Sequence, residues 1–165
     1  MLRTRLAQAY IKRTIRPLYG WTQATPKSCF LDPSWDRSVD IYPGFGFVKL
    51  DGDLVTLPNA DADIPYGLGA LYVGGDGVDE VLDSGINAFA VWVLAADAEF
   101  EVLAPAFGTI AAEQTTGVEQ LLYVVHTGAD RGKLTTTNDG NSTDAAVARL
   151  LKVNSATKIT IGGLR

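Results

Sequence analysis

The chain has very little of the side chains on which most enzyme chemistry depends. Its 165 residues include a single cysteine, Cys29, and a single histidine, His126. An intrachain disulfide needs two cysteines and a Cys/His zinc cage needs several ligands, so both are excluded. A catalytic triad would have to join His126 to a nucleophile such as Ser142 or Ser155, and no spacing supports that arrangement. We predict that the protein is not an enzyme and has no catalytic residues, metal site or cofactor.

Long apolar runs and net positive charge are missing as well. No run approaches the ~18 apolar residues that a membrane-spanning helix requires. The 14 basic and 19 acidic residues give a net charge of −5, which argues against a general nucleic-acid binder. Two Gly-x-Gly triplets, 44–46 and 67–69, do not complete a nucleotide-binding motif. We therefore expect no nucleic acid and no membrane as partner.

Acidic residues are missing from the N-terminal part of the chain, and basic residues are missing from its middle. Six of the 14 basic residues and none of the 19 acidic ones precede Asp32. Between Leu50 and Asp130 the chain has no lysine or arginine. The chain therefore combines a cationic head with an anionic body. A cationic head of this kind commonly binds an acidic surface.

Residues 1–17 are predicted to form a basic N-terminal arm. Apolar side chains at helical spacing are interleaved with basic ones, which indicates a short amphipathic helix over residues 1–16. Pro17 disfavours helical geometry at Arg16, so the helix is expected to end there. Two alternatives stay open: a mitochondrial transit peptide, which has the same arginine-rich and acid-free composition, or a helix packed on its own domain.

Residues 18–43 are predicted to be an extended connector. The stretch contains two tryptophans and three prolines and shows no clear periodicity. Flexible linkers are rich in glycine and serine and lack such bulky anchors. We assign Trp35 to the core and regard Trp21 as a possible interface anchor, because aromatic side chains dominate the energetics of many interfaces.

Residues 44–165 are predicted to form a β-rich body, because the apolar period changes to 2 after Pro43. The dipeptide Asp51-Gly52 supplies the positive φ that a hairpin turn needs. Residues 86–95 are apolar at almost every position, which is typical of a central strand covered on both faces.

The C-terminal part of the body completes the predicted fold. Residues 98–103 alternate, which places Glu99 and Glu101 on a solvent-facing strand edge and not in a glycosidase pair. Residues 144–153 fit a helix or a strand, and we predict a strand that forms a terminal hairpin with residues 158–161. The predicted fold class is all-β: a small antiparallel β-sandwich or β-barrel of about 8–10 short strands, preceded by the short helical arm and the extended connector.

Acidic residues cluster in or beside the predicted turns of the body. Hard cations bind through several such oxygens, so a calcium site is physically possible. The EF-hand spacing is missing, and we interpret the cluster as solvated carboxylates that keep the protein soluble. The residues concerned are Asp51, Asp53, Asp61, Asp63, Asp76, Asp79, Glu80 and Asp83.

The order of these parts resembles the capsid decoration (cement, or head-stabilising) proteins of tailed bacteriophages. The similarity lies in the basic arm, the Pro/Trp connector, the segment YGLGALYVGGDGVDEVLDSGINAFAVWVLAADAEFEVLAPAF and the tail segments ADRGKLTTTNDG and ATKITIGGLR. The resemblance implies a structural virion protein on the capsid surface that stabilises the shell by bridging neighbouring major capsid protein subunits. It also implies a homo-trimer at three-fold or quasi-three-fold positions. No residue role can be transferred, because such proteins share no catalytic motif.

On this interpretation the arm docks on an acidic capsid surface, with basic side chains making ion pairs and apolar ones packing beneath them. The residues predicted to do so are Leu2, Arg3, Arg5, Leu6, Tyr10, Lys12, Arg13 and Arg16.

Three other functions remain open from the sequence. A carbohydrate- or receptor-binding β module of a virion is the nearest, because exposed aromatic rings can stack on sugars. A phage connector or tail structural protein has a similar composition, and an organellar enzyme subunit would fit the transit-peptide interpretation. The aromatic residues considered for sugar binding are Tyr66, Tyr72, Trp92 and Tyr123.

Overall fold

The computed structural model describes residues 13–20, 25–35, 38–74, 88–111 and 120–164. These ranges form eleven β-strands and one 3-10 turn, so the prediction of an all-β fold is confirmed. No helix in the described ranges is long and apolar enough to cross a membrane. The strands are β1 (Ile15–Tyr19), β2 (Thr25–Leu31), β3 (Gly46–Lys49), β4 (Leu54–Thr56), β5 (Pro65–Gly69), β6 (Ala88–Val93), β7 (Glu99–Leu103), β8 (Gln120–Val124), β9 (Leu134–Thr135), β10 (Ala148–Ser155) and β11 (Lys158–Gly162).

Five of the strands close into a small barrel in the order β2-β4-β3-β5-β6. The β3–β4 hairpin is the one predicted from Asp51-Gly52, and Gly52 has a φ of 63°, which the turn requires. β6 pairs with both β2 and β5, as expected for a central strand. β2 pairs in parallel with β4 and completes the barrel, so the predicted connector contributes a barrel strand.

The other six strands form an antiparallel sheet in the order β1-β7-β11-β10-β8-β9. Its inner face consists of buried apolar residues that are register partners on neighbouring strands, such as Val102 with Ile159 and Phe100 with Ile161. β10 and β11 are adjacent in this sheet, which confirms the predicted terminal hairpin.

The barrel and the six-stranded sheet pack against each other around one core. The rings of Trp92 on β6 and Phe100 on β7 have centroids 5.4 Å apart. Gly46 on β3 lies so close to β8 that a Cβ atom at residue 46 would be 2.2 Å from Val124 Cγ2. Two side chains cannot share that space, so the absence of a side chain at Gly46 is what allows the barrel to approach the sheet.

Polar contacts fasten the barrel to the sheet at a second place. Arg131, which follows β8, donates from Nε to the Pro58 carbonyl at 2.7 Å and from Nη2 to the Leu57 carbonyl at 3.2 Å. The backbone N–H of Asp144 donates to the Asp61 carbonyl at 2.7 Å. These hydrogen bonds hold the loop after β4 against the segments before and after β9.

The predicted N-terminal helix does not extend to Arg16. Ile15 and Arg16 belong to β1, which pairs with β7. The pairing overrides the helical pattern because it buries Ile15 in the core and places Arg16 beside Glu101. The rest of the predicted helix, residues 1–12, lies outside the described residues.

One prediction about strand exposure was also wrong. β7 is not a solvent-facing edge: it lies between β1 and β11, and Glu101 is only 8% exposed. The carboxylate tolerates this position because cations from both neighbouring strands reach it. β6 has one buried face, which includes Phe89, and one half-buried face, on which Trp92 packs against Phe100 of the six-stranded sheet. Trp35 is buried, as predicted.

Candidate functional site

The candidate site is the face of the six-stranded sheet that points away from the core, which we call the outer sheet face. Charged and polar side chains lie on it, and the residues that alternate with them along the strands point inward and are buried and apolar. We define it by Arg16, Tyr19, Glu99, Glu101, Arg149, Lys152, Lys158 and Thr160. Four of these side chains are basic and two are acidic, although the chain as a whole has a net charge of −5.

A single polar row crosses four strands of this face. Arg16 on β1 is the register partner of Glu101 on β7, and Glu101 is the partner of Thr160 on β11. Thr160 is in turn the partner of Lys152 on β10. Directly opposed residues of antiparallel strands point to the same side of the sheet. Asn154 joins the row, because its Nδ2 donates to Thr160 Oγ1 at 2.8 Å.

Glu101 is the electrostatic centre of the row. Arg16 Nε lies 2.7 Å from Glu101 Oε1, and Lys158 Nζ lies 3.4 Å from Oε2. Burial alone would raise the pKa of Glu101, but the hydrogen bonds and positive charges of Arg16 and Lys158 outweigh it, so that the pKa lies below its ordinary value. The carboxylate is therefore ionised near neutral pH and fixes both cations on the outer sheet face. The Arg16 side chain remains 61% exposed.

The described part of the predicted arm, residues 13–17, lies at this face. Arg13 is exposed, and Thr14 is fixed to the body because its carbonyl accepts a 2.7 Å hydrogen bond from the Leu103 N–H. The Thr14 hydroxyl also donates to the Pro43 carbonyl. Arg13 and Thr14 therefore lie beside the outer sheet face. The remaining residues predicted to dock, which are Leu2, Arg3, Arg5, Leu6, Tyr10, Lys12 and the anchor Trp21, lie outside the described residues.

The edge of the sheet at β1 is poorly suited to strand addition. Because Leu103 bonds directly to Thr14, the alternation of the ladder turns the backbone of Ile15 and Pro17 toward the side of β1 that has no neighbouring strand among the described residues. Pro17 has no N–H to donate there, a common protection of edge strands. Leu18 and Tyr19 follow with 45% and 70% exposure. This edge therefore presents side chains to a partner more readily than backbone hydrogen bonds.

A second exposed surface lies on the barrel and is apolar. Phe30 on β2 is the register partner of Leu54 on β4, and Leu54 accepts a 2.8 Å backbone hydrogen bond from Leu50 across the hairpin turn. The three side chains are 51%, 36% and 41% exposed, respectively. No local sequence pattern predicts this row, because Phe30 lies twenty residues before the hairpin that carries Leu50 and Leu54.

The acidic turns do not form a metal site among the described residues. No group of three or more His, Cys, Asp or Glu side chains comes together there. Their oxygens serve the local backbone instead: Asp51 Oδ1 accepts from Gly52 N at 3.0 Å, and Asp63 Oδ2 accepts from Asn59 N at 2.6 Å. The other predicted members of the cluster, Asp76, Asp79, Glu80 and Asp83, lie outside the described ranges.

His126 makes contacts that suit a structural role. Its Nε2 lies 3.2 Å from the Gly140 carbonyl, and its backbone N–H donates to the Asn141 carbonyl. The hydroxyl of Ser142 donates to the Thr137 carbonyl at 2.8 Å. Ser155 belongs to the terminal hairpin and bonds to Thr157. The described hydrogen bonds therefore join His126 to neither candidate nucleophile.

The four aromatic residues considered for sugar stacking are distributed over separate contacts. Trp92 packs on Phe100 in the core, and Tyr72 packs edge-on against Tyr42 with ring centroids 5.3 Å apart. Tyr66 lies under Lys49 Nζ at 5.4 Å. Tyr123 is half-buried on β8 of the six-stranded sheet, where its register partner is Thr135 on β9. These contacts do not create a common stacking platform.

Comparison with known proteins gives one match that covers the whole chain. The family model described as "Phage cement protein" matches residues 1–165. No curated protein and no solved structure matches the chain.

Proposed function

Since this chain belongs to the phage cement protein family and is located on the virion capsid, we propose that it binds the outside of the assembled shell and bridges neighbouring major capsid protein subunits. The observation that carries the proposal is the whole-chain family match. The outer sheet face supports it, because a folded body that presents a charged surface beside the root of a basic arm can bind one shell at two places. When the body and the arm are linked, binding of one of them to the shell raises the effective concentration of the other.

The arm is the part of the chain that we propose reaches across to a neighbouring subunit. Its basic residues Arg3, Arg5 and Lys12 have no acidic residue near them in the sequence that could neutralise them. Its root is fixed to the body at Thr14, so the arm and the body act as one ligand. A protein that binds the assembled shell and not free subunits stabilises the assembly by linkage.

We further propose that the bound form is a homo-trimer at three-fold or quasi-three-fold positions. The apolar row of Phe30, Leu50 and Leu54 supplies exposed surface on the barrel that a contact between copies would cover. The molar mass measured by light scattering tests this proposal, both for the purified protein in solution and for the protein released when shells are disassembled. A mass of one chain in both samples and at all concentrations would contradict it.

The central experiment compares the full chain with a variant that lacks residues 1–12. The deletion stops before Thr14, so β1 and its pairing with β7 are preserved and the body should still fold. Cement-free shells are titrated with each protein, and bound protein is measured after sedimentation. We expect the full chain to saturate the shells and to raise their thermal disruption temperature. The truncated chain should bind at least about tenfold more weakly.

A matched variant separates charge from length. In Arg3→Gln/Arg5→Gln/Lys12→Gln the arm keeps its length and loses three positive charges. We expect it to lose most of the affinity that the deletion loses, and to show a weaker salt dependence of binding than the full chain. If both variants saturate shells at the affinity of the full chain, the arm is not the anchor. If the full chain does not bind shells at all, the proposed function is wrong.

A further inference from the structure

We propose that the outer sheet face, centred on Arg16, Lys152 and Lys158, is the surface of the folded body that docks on an acidic patch of the capsid shell. This inference rests on the proposed function and adds to it the surface and the chemistry of its partner. It differs from the role of the arm, because every residue that carries it lies in the folded sheet.

The first argument is the local excess of positive charge. The outer sheet face has four basic and two acidic side chains in a chain whose net charge is −5. Residues 38–74, which form most of the barrel and its loops, contain five aspartates and one lysine. An acidic surface attracts the basic sheet face and repels the acidic barrel region. It therefore orients the protein so that the sheet approaches first and the barrel faces away.

The second argument is the arrangement of the cations. Glu101 holds Arg16 and Lys158 within ion-pair distance, at 2.7 Å and 3.4 Å, yet their side chains stay 61% and 39% exposed. Lys152, the fourth position of the same row, is exposed and has no carboxylate partner among the described residues. The two held cations lose little further freedom on binding, which lowers the entropic cost of docking.

The third argument is continuity with the arm. Arg13, which follows residues 1–12 of the arm, precedes Thr14 and β1, and β1 is also the strand that carries Arg16. Pro17 removes a backbone donor from the open edge of β1, so contact through the exposed side chains of the sheet is favoured over strand addition. The residue to which the arm is attached therefore lies beside the strand that carries Arg16.

The first experiment measures which residues the shell covers. Cys29 is the only cysteine and is 3% exposed. Burial and the nearby Asp53 also raise the pKa of its thiol, so it reacts slowly with maleimide. The variant Lys152→Cys places a single reactive thiol on the outer sheet face. The control Ile64→Cys places one on the barrel, at a residue that is 75% exposed.

We expect shells to slow maleimide labelling of Lys152→Cys by at least about tenfold and labelling of Ile64→Cys by less than about twofold. Equal labelling of both variants on saturated shells would overturn the inference while leaving the proposed function intact. Slow labelling of Lys152→Cys at high protein concentration without shells would show that a second copy covers the face, which also overturns it. A full chain that fails to bind shells overturns both proposals.

The second experiment uses charge reversal. Lys152→Glu should weaken shell binding by about fivefold at low salt, mainly through a slower association rate, and the difference should shrink at high salt. Lys27→Glu makes the same change at an exposed residue of β2 and should alter binding by less than about twofold. Equal losses for the two variants would show that only net charge matters, and the inference would be wrong.

Discussion

The barrel and the six-stranded sheet share one core, but their exposed surfaces have opposite charge. Residues 38–74 of the barrel region carry five aspartates and one lysine, mostly in loops. The outer sheet face carries four basic and two acidic side chains, all within strands. Loop carboxylates can move and remain hydrated, whereas strand side chains are held at fixed spacing by the ladder. The acidic region is therefore suited to solubility, and the sheet is suited to recognition.

The comparison depends on the two regions being rigidly joined. Gly46 and Val124 mark the closest approach of barrel and sheet, and Arg131 fastens the loop after β4 to the segment after β8. We call the contact between Gly46 and Val124 the joint. Because it fixes the barrel against the sheet, a sheet face and an arm that are bound to a shell also determine the position of the barrel relative to that shell.

The largest effect is expected from filling the joint. In Gly46→Ala the new Cβ would lie 2.2 Å from Val124 Cγ2, so β3 or β8 has to move. We expect the free energy of unfolding to fall by about 2–3 kcal/mol, measured by urea denaturation. The barrel and the sheet should separate in their unfolding transitions if the joint is what couples them.

The matched control for the joint is a second substitution that makes room. Val124→Ala removes the methyl groups that Gly46→Ala would meet, and alone it leaves a small cavity. The double variant should be more stable than the sum of the two single losses by about 1 kcal/mol or more. Strict additivity would show that the two residues do not compete for the same space, contrary to the packing described.

The next largest effect concerns the centre of the outer sheet face. Glu101→Gln keeps the shape of the side chain and removes the charge that holds Arg16 and Lys158. Glu101 is 8% exposed, whereas the Arg16 and Lys158 side chains are 61% and 39% exposed, so water screens its ion pairs only from the side of the cations. We expect a loss of about 1–3 kcal/mol in the free energy of unfolding. A loss below about 0.5 kcal/mol would place this row among ordinary surface ion pairs.

The difference in the free energy of unfolding between wild type and Glu101→Gln should also depend on pH. The pKa of Glu101 is lower in the folded protein than its ordinary value, so the folded state favours the ionised carboxylate. Its contribution to stability is then fully present above the unfolded-state pKa of about 4.3 and is lost as the pH falls through the lower folded-state value. The stability difference between wild type and Glu101→Gln should be constant near neutral pH and should shrink below about pH 4.3.

The sequence predicted the strands better than it predicted the surfaces. Local signals sufficed for the Asp51-Gly52 hairpin and the terminal hairpin, because adjacent strands are paired through short turns. The predicted end of the helix at Arg16 was wrong because β1 pairs with β7 more than eighty residues later, and no local pattern records that pairing. The outer sheet face was missed for the same reason.

The signal for Glu101 was present but was interpreted in the wrong context. Alternation in residues 98–103 correctly placed Phe100 and Val102 on one side and the glutamates on the other. Whether such a side faces open solvent depends on the neighbouring strands, which here supply Arg16 and Lys158. A buried carboxylate between two cations is a tertiary feature that a period-2 pattern cannot reveal.

A smaller effect is expected at the polar fastening of the barrel. Arg131→Ala removes hydrogen bonds from Nε and Nη2 to the Pro58 and Leu57 carbonyls and leaves these partly buried acceptors without their donor. We expect a loss of about 1–2 kcal/mol in stability and faster hydrogen exchange in the loop after β4. Arg131→Lys should recover only part of the loss, because a single ammonium cannot reproduce the fixed fork of the guanidinium. Full recovery by lysine would show that charge alone matters at this position.

The smallest effect is expected where the barrel is acidic. Asp51→Asn/Asp53→Asn removes two negative charges from the hairpin turn, and an asparagine at residue 51 can still accept the Gly52 N–H. Stability should change by less than about 0.5 kcal/mol, because both residues are exposed. Affinity for shells should change by less than about twofold, since this turn is proposed to face away from the shell. The variant alters net charge by as much as Lys152→Glu does, with the opposite sign, so the two together separate a global charge effect from a local one. A gain in affinity as large as the loss in Lys152→Glu would mean that the shell senses only the net charge of the protein, and the contrast between the two surfaces would then have no bearing on docking.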